Sequence, residues 1–319
     1  YNSLITSYIK AFIKMDDIYH PVSSFEVTSD YAGMRLDNCL ISLMKGLPRS
    51  KIYSIIRRGE VRVNKSRSRP SLKLNEGDIV RIPPYKASTK EETFTPSKDK
   101  EKILKSIIVK EKEFLVINKP VGIASHGGSG ISSGVIEIIR QLAPEYKDAH
   151  LAHRIDRDTS GCLVIALRKS FLRKLHQEIR NKNVDKIYDL IVFGNWPKEL
   201  KTIDAPLSKR KSKTGEKEAI VENNGKKSLT EFSLIESNNK YSHLKAKIIT
   251  GRMHQIRAHA IYKGFPIVGD RKYGNETLNK QAKEIGLNRM LLHATSISFK
   301  NLEISCSAEL PKLFSKIMS

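Results

Sequence analysis

Apolar positions along the chain recur with two different periods, and the switches between them divide it into regions. Within residues 25–84, the run Phe25-Glu26-Val27 is followed by Leu36, Cys39, Leu40 and Leu43, then by Ile52, Ile55 and Ile56. Spacings of three and four predict two helices, the second from Ser50, each with one buried face. Gly59 closes the second helix. Val61 and Val63, then Ile79, Val80 and Ile82 after the Glu76-Gly77-Asp78 turn, predict short strands in a hairpin. Two helices joined by a short turn and backed by strands make a unit near the lower size limit for independent folding.

Residues 85–102 (YKASTKEETFTPSKDKEK) are polar and aperiodic, and are expected to form a linker. Across residues 103–319, strand-like runs (IIVKEKEFLVINK, CLVIAL, IYDLIVFG, HLKAKIIT, SISF) mix with helical spacings at 135–142, 170–181 and 253–262. The runs do not alternate as regular βαβ units, so the expected class is α+β with a mixed, largely antiparallel β-sheet. Asn223-Asn224-Gly225 marks a turn inside the Lys-rich stretch 198–228, expected as an exposed loop or hairpin. Residues 1–24 read as an N-terminal extension. Residues 1–14 carry no small-residue cleavage signal, and translation is expected to begin at Met15, with a vestigial targeting peptide as the alternative.

Charge changes the picture more than composition does. Of 319 residues, 57 are Lys or Arg and 34 are Asp or Glu, a formal net charge of +23 that implies a polyanionic partner. No apolar run reaches the ~18 residues that cross a bilayer, which favours nucleic acid over membrane. Between Lys45 and Lys73 there are ten Lys or Arg and one acid, Glu60, so the N-terminal unit holds part of this excess. Cys39, Cys162 and Cys306 lie far apart, which excludes a disulfide framework or a C-x-x-C metal knuckle and fits a reducing, cytoplasmic setting.

The densest polar constellation is His153-Arg154-Ile155-Asp156-Arg157-Asp158-Thr159-Ser160-Gly161, directly before the apolar run 162–167. It has no helical or strand period, and a loop anchored by a buried strand is where functional groups are positioned; a solvated turn rich in ion pairs fits the charge pattern equally well. Other templates fail. His254 and His259 are five apart, wrong for one helix face on zinc, and neither Gly127-Gly128-Ser129-Gly130 nor Gly225-Lys226-Lys227-Ser228 completes a phosphate loop. No dinucleotide fingerprint or nucleophile elbow is present. Carboxylate chemistry remains.

The segment 153–161 is similar to the H-R-[LI]-D-x-x-T-S-G signature of the RluA-type pseudouridine synthases. Asn118-Lys119-Pro120-Val121-Gly122 with His126-Gly127-Gly128 resembles that family's first motif, and Lys186-Ile187-Tyr188 its K-x-Y strand. Residues 250–259 (TGRMHQIRAH) resemble its T-G-R-x-H-Q-I-R-x-H block, and Gly269-Asp270-Arg271-Lys272-Tyr273-Gly274 follows in order. Arg35-Leu36-Asp37, residues 48–53 and residues 59–64 look like an S4 RNA-binding domain, closed by the residues up to Pro84. Ile155 and Met253 are small departures from the usual Leu and Thr.

The resemblance implies an S4 domain at 25–84 and a pseudouridine synthase domain at 103–319, an isomerase needing no metal or other cofactor. It implies Asp156 as the catalytic carboxylate, Arg257 as its ion-pair partner, Tyr188 as the aromatic stacked on uracil, and Arg154 as the residue entering the space of a flipped-out base. A structural loop arginine is the alternative for Arg154. His153 and His259 read as structural, and Asp158 as a brace of the turn with Thr159 and Ser160. Arg49, Lys51, Arg57, Arg58, Arg62 and Lys65 are the expected RNA-phosphate contacts of the S4 unit. An S4 domain joined to this first-motif variant most resembles the family members acting on large-subunit ribosomal RNA, free or in an assembly intermediate, as a monomer. A non-catalytic ribosome assembly factor on the same fold and a synthase acting on tRNA stand as alternatives.

Overall fold

The computed structural model describes residues 17–88, 95–128, 133–212 and 215–318; the expected translation start at Met15 and residues 1–14 lie outside them. The chain divides into two compact units, Tyr1–Thr93 and Phe94–Ser319.

In the first unit, β1 (Asp17–His20), β2 (Ser23–Glu26), α1 (Leu36–Leu43), α2 (Arg49–Arg57), β3 (Arg62–Val63), β4 (Ile79–Ile82) and β5 (Tyr85–Ser88) follow one another. The two helices bury the faces their spacing predicts. Leu36, Cys39 and Leu40 of α1 meet Ile52, Ile55 and Ile56 of α2 over Val63, Val80 and Ile82. Pro48 precedes α2, and Gly59 (φ +72°) follows it in the left-handed region. β4 lies between β2 and β3, antiparallel to both, so the expected hairpin is the edge of a three-stranded sheet.

Two expected boundaries change. Part of the expected extension, β1, pairs antiparallel with β5 from the expected linker, with His20 stacked on Tyr85 at 4.4 Å. The other end of the expected linker is helix α3 (Ser97–Lys105), held by buried Ile103. Backbone pairing needs no apolar period, and one inward residue on a helix sets none, which is why composition alone read as linker.

The second unit continues with β6 (Ile107–Lys110), β7 (Phe114–Lys119), α4 (Val135–Leu142), β8 (His150–Leu151), β9 (Ser160–Ala166), α5 (Lys169–Arg180), β10 (Val184–Phe193), β11 (Thr202–Asp204), β12 (Leu207–Lys211) and β13 (Lys217–Val221). It closes with β14 (Leu229–Ser237), β15 (Tyr241–Ile248), α6 (Gln255–Tyr262), α7 (Glu276–Glu284), β16 (Leu292–Phe299), β17 (Ile304–Ser307) and α8 (Leu313–Met318). The main sheet runs β11-β14-β15-β10-β16-β9-β7-β6, with β17 on β16 and β8 on β9. Of its pairings only β16 with β9 is parallel, giving the mixed, largely antiparallel sheet of an α+β domain. The Lys-rich stretch holds the separate β12–β13 hairpin.

Helices α4, α5 and α6 pack on the sheet. Leu115, Ile117, Leu163 and Ile165 pack with Val135, Ile138 and Ile139 of α4, while Val116, Cys162 and Val164 on the opposite side pack with Phe171 and Leu175 of α5. Tyr188, Leu190 and Val192 of β10 pack with Ile256 and Ala260 of α6. The parallel seam has a steric requirement: Gly161 (φ +109°) lies where a Cβ would come 2.2 Å from the Ala294 carbonyl oxygen. β9 can therefore leave the 153–160 loop and enter the sheet against β16 only with glycine there.

Candidate active site

Three loops and a strand converge on Asp156. Its loop is clamped from the first-motif segment. Ser125 Oγ donates to the Ile155 carbonyl at 2.7 Å, the Gly122 N–H donates to the Arg157 carbonyl at 2.9 Å, and Arg157 Nε donates back to the Gly122 carbonyl at 3.0 Å. Lys119, fully buried at the end of β7, donates from Nζ to the carbonyls of Pro120, Ile123 and Arg157 at 2.8, 2.8 and 3.0 Å. Burial pulls this amine down to about 7, against the pull of Asp158 and Asp156. Asp156 itself is left part-exposed, its side chain 28% accessible.

Arg257 is delivered by the first turn of α6. His254 precedes the helix in the left-handed region (φ 51°), and Gln255 fixes the turn. Its Oε1 accepts from Thr250 Oγ1 at 2.7 Å and the Arg252 N–H at 3.0 Å, and its Nε2 donates to the Leu229 carbonyl at 2.9 Å. Arg257 Nη1 then donates to Asp156 Oδ2 at 3.0 Å, while Nε and Nη2 form a fork on Asp270 at 2.7 and 2.8 Å. Burial works against the Arg257 charge, but the bonds to Asp270 and Asp156 outweigh it and raise its pKa. Asp270 is fully buried; Arg257 and the Tyr273 and Lys272 amides overcome that burial and hold its carboxyl below the usual range.

Tyr188 reaches the same cleft from β10. Between Ile187 and Tyr188 the pairing with β16 shifts by one residue, a bulge at Thr295 that re-aims the strand beside the site. Burial, with the Asp156 charge second, pushes the Tyr188 phenol up, so it stays protonated. Arg154 is exposed at the mouth, and among the described residues its side chain has no hydrogen-bond or ion-pair partner. Asp156, Tyr188, Arg257 and Arg154 line one cleft of about 610 Å³, which extends along Lys186 and Lys247. Burial lowers the pKa of Lys186.

His153 accepts the Val164 N–H at 3.1 Å, and His259 bonds Thr230 Oγ1 and the Ala205 carbonyl at 2.9 Å each, so both are tied into the fold. In the N-terminal unit Arg49, Lys51, Arg57, Arg58 and Lys65 are exposed and Arg62 is half-buried. Arg58 is ion-paired with Glu60 at 2.7 Å. Ser129 and Gly130 of the first-motif variant lie outside the described residues.

Sequence reasoning left Asp270, Lys119, His254 and Tyr273 without roles. All four lie inside motif blocks, but a bond between residues thirteen apart through a helix turn, or from one loop to another, leaves no local period. Arg257 was read as having one carboxylate partner and has two.

Residues 113–262 match the RNA pseudouridylate synthase family, and residues 34–80 match the S4 domain. The chain is 45% identical over 286 residues to the ribosomal large subunit pseudouridine synthase C of Pasteurella multocida (strain Pm70), covering 89% of this chain and 88% of that one. It is 45% identical over 277 residues to the protein of the same name from Escherichia coli (strain K12), covering 86% and 87%. Among solved structures it is similar to human RNA pseudouridylate synthase domain containing 4, at a TM-score of 0.56 and 25% identity over 68% of this chain and 92% of that one. With Asp156 held against Arg257 in a cleft beside Tyr188, and with this similarity along most of its length, the chain belongs to the RluA-type RNA pseudouridine synthase family and carries an S4 domain.

Proposed function

We propose that this protein isomerises uridines of large-subunit ribosomal RNA to pseudouridine, with Asp156 as the acting carboxylate. The observation that carries the reading is the bond from Arg257 Nη1 to Asp156 Oδ2, which leaves that carboxylate part-exposed in a cleft big enough for a nucleoside. The reaction breaks the N1–C1′ bond, turns the uracil and joins C5 to C1′; the C5 proton is lost and N1 ends protonated. An oriented carboxylate serves it by attacking the sugar or base, or by removing a sugar proton. No redox change occurs, so the chemistry asks for no redox cofactor.

The cleft's other residues fit parts of that sequence. Tyr188 offers an aromatic face for uracil and a protonated hydroxyl near the site of the final C5 proton transfer. A base stacked in a helix is out of reach, so the nucleotide is flipped out, and Arg154, exposed at the mouth, fills its place. The S4 unit, with Arg49, Lys51, Arg57, Arg58, Arg62 and Lys65, grips phosphate and leaves the choice of uridine to RNA shape and to the cleft. The protein works as a monomer in the cytoplasm, on ribosomal RNA or on a pre-ribosomal particle.

The test is pseudouridine mapping in ribosomal RNA from cells lacking the protein and from the same cells carrying wild type or Asp156→Asn. Specific sites should vanish on deletion, return with wild type and stay absent with Asp156→Asn, while RNA affinity of the variant stays within about threefold. Return of the sites with Asp156→Asn would remove that residue from the chemistry.

A further inference from the structure

The two oxygens of Asp156 have different surroundings. Oδ2 takes Arg257 Nη1 at 3.0 Å and faces His254 Nε2 at 3.8 Å, whereas among the described residues nothing hydrogen-bonds Oδ1. His254 is held from behind. Its Nδ1 lies 2.8 Å from the Tyr273 hydroxyl, and that hydroxyl accepts the Ala219 N–H from β13 at 2.6 Å. With its oxygen occupied by the amide, the hydroxyl has its own proton to place, and His254 Nδ1 is the acceptor within reach. A neutral imidazole that accepts at Nδ1 carries its proton on Nε2, the nitrogen turned to Asp156. Burial favours both neutral forms, lowering the pKa of His254 and pushing the Tyr273 phenol up to about 12. Tyr273 also lies under the Arg257 guanidinium, 4.9 Å from its ring centre, so one side chain braces both groups that face Oδ2.

We infer that His254 and Tyr273 are positioning residues which, together with Arg257, hold Oδ2 of Asp156 and so present Oδ1 to the nucleoside. The inference rests on Asp156 being the acting carboxylate. At 3.8 Å the His254 contact is longer than a hydrogen bond, and closing it by the last ångström on substrate binding is what fixes the carboxylate plane. A carboxylate held by one bond at Oδ2 can pivot; held by two donors it offers the same oxygen on every encounter.

The experiment is single-turnover kinetics on ribosomal RNA at saturating enzyme, with RNA affinity and melting temperature measured in parallel. His254→Ala should lower the rate about 10- to 100-fold with RNA affinity changed less than threefold. His254→Gln, whose amide nitrogen reaches where Nε2 stood, should recover part of that rate. His254→Asn, whose amide reaches only where Nδ1 stood, should not. Tyr273→Phe keeps the ring under Arg257 and removes only the hydroxyl; it should cost about 3- to 10-fold, and nothing further when combined with His254→Ala. Equal rates for the Gln and Asn variants, or multiplying effects of the two residues, would overturn the proposal, and the Gln–Asn comparison stands even where the alanine variant folds poorly. Asp156→Asn run alongside separates the two claims. If it turns over, the underlying reading and this inference both fall; if it is inactive while His254→Ala is fully active, this inference falls alone.

Discussion

Lys119 shows how one residue links the fold to the site. It ends a strand, is wholly buried, and its three bonds tie the first-motif loop to the carbonyl of Arg157, the residue after Asp156. Two forces act on its proton: three carbonyl acceptors match the three N–H groups of an ammonium, while burial lowers the pKa from 10.5 to about 7. Below about pH 7 the amine is charged whether the chain is folded or not, and its burial opposes folding in full. Between about 7 and 10.5 the unfolded chain holds a proton that the folded chain has lost, so this residue's contribution rises with pH, by at most about 1.4 kcal/mol per unit. Lys119→Met leaves three carbonyls bare and removes the titration. We expect it to be less stable than wild type, with a gap in urea unfolding free energy that is wider at pH 9 than at pH 6.5. A constant gap across that range would mean that the three carbonyls keep the ammonium charged throughout.

Elements differ in how plainly the sequence announced them. α4 and the strands β7, β9 and β10 carry apolar runs or stripes that coincide with what they bury, and these residues frame the site. α3 buries one apolar residue, and its Glu101–Lys105 ion pair at 2.6 Å reads in sequence as mere charge. α7 is mostly polar, with Asn275 capping it by accepting the Leu278 N–H at 3.0 Å. The same limit applied at the site: Asp156, Arg257 and Tyr188 sat in motif blocks, but the fork from Arg257 to Asp270 depends on how the segment after α6 folds back, which no spacing records. α3 offers a direct check on the corrected boundary. Ile103 is fully buried with Leu115, Ile138 and Leu163, so Ile103→Ala should lower the stability of the second unit by about 2–4 kcal/mol in denaturant titration. An unchanged stability would show that Ile103 does not anchor α3 against the second unit.

At the scale of the whole molecule, the net charge of +23 is shared by two units with different tasks. Arg257 is wholly committed to Asp156 and Asp270, and Lys119 to backbone carbonyls, so these cations add little to long-range attraction. The exposed cations of the N-terminal unit are differently placed: Arg49, Lys51 and Arg57 project from α2 with no carboxylate partner among the described residues, whereas Arg58 is already paired with Glu60. Phosphates meeting the first three would release counterions, and each such contact contributes roughly 0.7 to 0.9 to the slope of log affinity against log salt. Changing all three to Gln should therefore flatten the slope for ribosomal RNA by about 2 to 3. Affinity should fall most at low salt, because the lost term is the one that salt screens. The rate at saturating RNA should stay near wild type, since none of the three lines the Asp156 cleft. A rate loss at saturation with an unchanged slope would show that α2 acts on catalysis and leave the phosphate track to other cations of the chain.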